Sequence, residues 1–118
     1  MKLKLGALIF CMMSLARAET LTQQQYDQQI QHHTEIIKQT KAILDTPGSK
    51  ADAEQQSQAL CDRLNAYEQI AQLSKDNPEL ELSSIRLMAS ELYLNQQKAS
   101  LGNAGMSIAV FCSGKIKQ

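Results

Sequence analysis

The sequence predicts an all-α fold: a small antiparallel bundle of three long helices and a short C-terminal one, tied by one disulfide. Three observations carry that expectation. Apolar residues recur at helical spacing from residue 22 to residue 101, with breaks only at Thr46-Pro47-Gly48-Ser49 and Asp76-Asn77-Pro78. Residues 59–73 carry two apolar stripes, Leu60, Leu64, Tyr67 and Ala71 on one side and Ala59, Ala66, Ile70 and Leu73 on the other, so this helix needs neighbours on two faces. Beyond residue 18 the chain keeps two cysteines, Cys61 and Cys112.

The chain of 118 residues opens with Met-Lys-Leu-Lys, an apolar run from Leu5 to Leu15, and Ala16-Arg17-Ala18 before Glu19. A basic start, an apolar run of about 11 residues and an Ala-x-Ala end are the parts of a cleavable secretory signal. Residues 1–18 are therefore read as a signal peptide cut after Ala18, and residues 19–118 as a single helical domain. The apolar run is about half the length a membrane span requires, so no membrane insertion of the mature chain is expected. Lipid modification of Cys11 is disfavoured, because bulky Phe10 precedes it and it lies inside the apolar run. The expected location is periplasmic or secreted, an oxidising compartment in which two cysteines form a disulfide.

Loss of residues 1–18 removes Lys2, Lys4 and Arg17 and no acid, which leaves nine Lys and Arg against twelve Asp and Glu, a formal net charge of −3. That balance argues against nucleic acid as a partner.

In order along the chain, Tyr26, Ile30, His33, Ile37, Thr40 and Leu44 follow a 4, 3, 4, 3, 4 spacing. This predicts a first amphipathic helix of about 24 residues with Thr22 as N-cap. Ser49 followed by Asp52 resembles a capping box for a second helix from about Lys50 to Lys75. Asn77 as N-cap with Pro78 at the first helical position marks the start of a third helix; a delayed start at Ser83 is the alternative. In that helix Ile85, Met88, Leu92 and Ala99 form one face, and Leu80, Leu87, Leu94 and Leu101 recur every seven residues on another. Ser84, Glu91 and Lys98 interrupt a zipper pattern, so two neighbours are expected for this helix rather than a long dimeric coiled coil. Periodicity leaves residues 106–112 open as helix or strand.

Mirroring residues about residue 77 and about residue 103 puts Cys61 and Cys112 at one level, opposite Tyr93 and Leu94. A continuous helix past Gly102 would hold them about 28 Å apart, beyond disulfide reach. The bridge therefore requires a reversal at residues 102–105.

No catalytic triad, phosphate loop or C-x-x-C pair stands out, so no enzyme and no cofactor are expected. Adjacent His32 and His33 point about 100° apart on a helix, which does not suit metal binding. The sequence is read as an exported protein-binding module, by class analogy an immunity-type inhibitor or an envelope-complex subunit. The alternative is a small-ligand or metal carrier using a bundle pocket. Because the fourth segment is short, one end of the bundle is expected to be open. Tyr26, Ile30, Tyr67, Ile70, Leu80 and Leu87 would form an apolar partner-binding patch there, with the lead-in before Thr22 or a homodimer mate as alternative covers.

Overall fold

In the computed structural model the structure describes residues 20–116; the expected signal peptide, residues 1–18, lies outside the described residues. Three long helices and one short one follow in order, α1 (Gln23–Leu44), α2 (Ala53–Asp76), α3 (Ser83–Asn103) and α4 (Ile108–Phe111).

The caps explain most of the boundaries. Thr22 Oγ1 accepts a hydrogen bond from the Gln25 backbone N–H, and Gln25 Oε1 accepts one from the Thr22 backbone N–H, closing a capping box at the start of α1. At the start of α2 the box is Asp52 with Gln55 rather than Ser49 with Asp52. Gln55 is long enough to reach back to the Asp52 N–H at 2.9 Å, a reach an Asp at that position lacks, so the helix begins at Ala53 rather than near Lys50. At the end of α3 the Met106 N–H bonds to the Leu101 carbonyl and the Gly105 N–H to the Gly102 carbonyl, both at 2.9 Å. Gly105 has φ of 80°, which completes a Schellman stop. Ser107 then caps α4, so residues 106–112 hold a short helix.

The third helix starts at Ser83, the later of the two expected starts. Asn77 is engaged elsewhere. Its Oδ1 accepts from the Leu21 backbone N–H at 3.0 Å, and its Nδ2 donates to the Leu73 carbonyl at 2.9 Å, so it closes α2 and anchors the lead-in to α1. Leu82, the residue before α3, sits in the left-handed region with φ of 66°.

Helix α2 is the centre of the fold and packs extensively against both α1 and α3. Tyr26 on α1 meets Ser74 on α2, whereas Thr40, later on α1, meets the earlier Arg63. The chain therefore reverses between these two helices. One core cluster joins Tyr26, Ile30 and Ile37 to Ala66 and Ile70, with Leu73 packed against it. The second joins Cys61, Leu64 and Ala71 to Leu94 and Cys112, with Leu60 beside them. These are the two stripes read from the sequence, each facing its own neighbour.

The Cys61–Cys112 disulfide has a Cα–Cα distance of 5.6 Å and spans 51 residues. Constraining a loop of that length is worth roughly 4 kcal/mol of chain entropy. It holds Ile108 and Phe111 against the second cluster.

Candidate functional site

The six residues expected to form an exposed patch are mostly core. Tyr26 is fully buried, Ile30 and Ile70 nearly so, and Tyr67, Leu80 and Leu87 are half-buried. The end of the bundle is closed by groups that are remote in sequence. The Arg86 guanidinium covers the Tyr26 ring at 5.4 Å and lies 3.7 Å from the Asp27 carboxylate. Leu21 and Leu80 pack on the same cluster, and the Tyr26 hydroxyl shares a 2.7 Å hydrogen bond with Ser74. The lead-in before Thr22 is thus part of the cover.

Most of the exposed apolar surface lies on and just before α3 instead, with Met106 and Val110 also exposed at the C-terminal segment. Leu80, Leu87, Leu94 and Leu101 turn toward the core and are buried or half-buried. The other face does not meet a second neighbour among the described residues: Ile85 is 63%, Met88 67% and Leu92 60% exposed, with Leu82 at 55% just before them. At 3.6 residues per turn, Ile85, Met88, Ala89, Leu92, Gln96 and Ala99 fall within a sector of about 120°. That sector contains no charged residue. The sequence showed this stripe, and what it did not show is that no helix is left to cover it. An uncharged outer sector beside a complete inward leucine repeat was the available signal.

A polar network stiffens the support behind this surface. Arg63 on α2 donates from Nε to Thr40 Oγ1 at 2.7 Å and from Nη2 to Asp45 at 2.9 Å. Burial disfavours its charge, yet Asp45 and the Tyr93 hydroxyl outweigh that and raise its pKa. Burial also raises the pKa of Tyr93 on α3. Tyr93 stacks on Tyr67 with ring centroids 4.1 Å apart, which joins α3 to α2, while Arg63 ties α2 to α1 through Thr40 and Asp45.

His33 is half-buried and His32 exposed. The His33 pKa is lowered, first by burial and then by His32. Among the described residues, no three His, Cys, Asp or Glu side chains converge as metal ligands, and no helix is long and apolar enough to cross a membrane. A groove of about 320 Å³ runs between α1 and α3, lined by Ile30, Ile37, Tyr67 and Ile70, with Lys41 and Arg86 among its other residues.

Comparison with known proteins returns no matching family model, no matching curated protein and no matching solved structure.

Proposed function

We propose that this protein is a non-catalytic interaction module of an exported compartment, acting as an inhibitor or as a subunit of an envelope assembly, and that it presents the outer face of α3 to another polypeptide. One observation carries the reading: Ile85, Met88 and Leu92 stand more than half exposed in a sector without charge. Contiguous apolar surface of this kind marks interaction sites, and a helix face offering anchors at i, i+3 and i+7 is a common docking element. The disulfide suits an oxidising location.

The test is capture from the native envelope fraction with the wild-type protein and an Ile85→Asp, Leu92→Asp variant in parallel. A protein retained by the wild type and lost by the variant, with the thermal melt unchanged, is the expected result. Equal retention by both rejects the α3 face as the site.

The α1–α3 groove supports a second reading, a carrier of a small apolar ligand with an anionic group. Its volume is at the low end for ligand pockets, and Lys41 and Arg86 are suited to a carboxylate. Mass analysis of the protein purified without denaturation checks for such a ligand.

A further inference from the structure

The interaction reading leaves the occupant of the α3 face open. We propose that the occupant is a second copy of this chain, its α3 laid antiparallel on the first about a two-fold axis. This rests on the outer face of α3 being an interaction surface.

Side-chain size along the face supports this pairing. On a seven-residue frame the seam of the face is Ile85, Met88, Leu92, Asn95, Ala99 and Gly102: large apolar residues occupy its first half, and Asn95 with the small Ala99 and Gly102 its second. An antiparallel mate sets large against small. Met88 then faces Ala99 of the second copy, Ile85 faces Gly102, and each contact recurs by symmetry, as an isologous interface requires.

Charge selects the same register. Glu91 and Lys98 stand seven residues apart on one edge of the face, at the flanking position of the same seven-residue frame where the face borders the α2–α3 groove and α2 contributes Glu68 and Lys75, and both are exposed. Among the described residues neither joins an ion pair; the pairs formed are Lys38–Glu35, Arg63–Asp45, Arg86–Asp27 and Lys115–Glu54. In antiparallel packing this edge meets itself, which puts Glu91 of each copy beside Lys98 of the other. In parallel packing it would meet the opposite edge, Ala89 and Gln96, where there is nothing to pair with. The face is about 30 Å long and about 10 Å wide, about 600 Å² for the two copies together, which is below the range of stable interfaces and in that of weak, transient ones. The expected dissociation constant is therefore micromolar or weaker.

Sedimentation equilibrium of the oxidised protein from about 1 μM to 1 mM tests the proposal, together with Glu91→Lys, Lys98→Glu and the double swap. A monomer–dimer equilibrium is expected. Each single reversal should weaken it roughly tenfold, because two pairs become repulsive, and the double swap should restore it. A monomer throughout, or a double swap no tighter than the singles, overturns the proposal. If the protein stays monomeric while Ile85→Asp, Leu92→Asp still abolishes capture of an envelope protein, the second copy is rejected and the interaction reading stands.

Discussion

The Arg86 guanidinium on α3 lies over the ring of Tyr26 on α1, 5.4 Å from its centroid, and this contact closes the end of the bundle that chain length alone suggested was open. Tyr26 is fully buried although α1 and α3 approach each other far less than either approaches α2. The long Arg86 side chain spans that gap with its alkyl stem and planar head. Its Asp27 partner is about half exposed, so the ion pair adds little and the ring contact carries more.

Arg86→Ala is accordingly expected to lower stability by about 1–2 kcal/mol, and Arg86→Lys to recover only part of it, since an ammonium lacks the flat face that covers the ring. Urea denaturation followed by circular dichroism measures both. An unchanged midpoint for Arg86→Ala contradicts this account of the closed end.

Reduction of Cys61–Cys112 is expected to remove roughly 4 kcal/mol from a total that for a domain of this size is about 5–15 kcal/mol. The double Cys61→Ser, Cys112→Ser variant should show the same loss. Amide exchange should show it first around Ile108–Phe111, which depend on the bridge for their place in the second cluster. Equal denaturation midpoints with and without reductant argue against a stabilising bridge.

His33 makes stability depend on pH in a defined direction. Burial and His32 lower its pKa in the folded state, so between that lowered value and the ordinary 6.5 the unfolded chain binds more protons than the folded one. The contribution is fully present above about pH 6.5 and is lost as pH falls through the folded value. Denaturation midpoints at pH 7.5 and pH 5 should therefore differ more for the wild type than for His33→Gln. Proton NMR titration of the imidazole checks the direction of the shift itself.

The two stripes of α2 were legible because they are set by local spacing: Ala66 and Ile70 face α1, and Leu64 and Ala71 face α3. The disulfide was legible from cysteine count and from the reversal that Gly102 and Gly105 permit. The start of α3 was legible only as the second of two options, Ser83 after Asn77, because the residues that decide it are far apart in sequence. Asn77 and Pro78 carry good helix-start chemistry, but the Asn77 side chain is taken by Leu21, 56 positions away, and no local pattern reports that bond. The error propagates. With α3 beginning at Ser83, residues mirror about position 80, as the Tyr67–Tyr93 stack shows, not about position 77. Tyr26, Ile30 and Ile70 were assigned to an open end for a separate reason, the shortness of the fourth segment, and Arg86, Leu21 and Leu80 fill that end. The outer stripe of α3 was visible as a pattern, but its lack of a neighbour depends on the number of helices and on α2 occupying the centre.

The difference between the two faces of α3 is testable with a pair of substitutions two positions apart. Leu87 points at α2 and is half-buried beside the second cluster, whereas Ile85 is rotated by about 200° and is 63% exposed. Leu87→Asp drives a carboxylate into an apolar contact and is expected to cost about 3 kcal/mol, enough to leave a domain of this size marginal. Ile85→Asp places the same charge in water and should stay within about 0.5 kcal/mol of the wild type. Thermal melts of the two oxidised variants decide the matter. If Ile85→Asp unfolds the isolated protein as Leu87→Asp does, the outer face is packed in the native fold and is unavailable to any partner. If Leu87→Asp is tolerated as well, the leucine repeat is not the seam that joins α3 to α2.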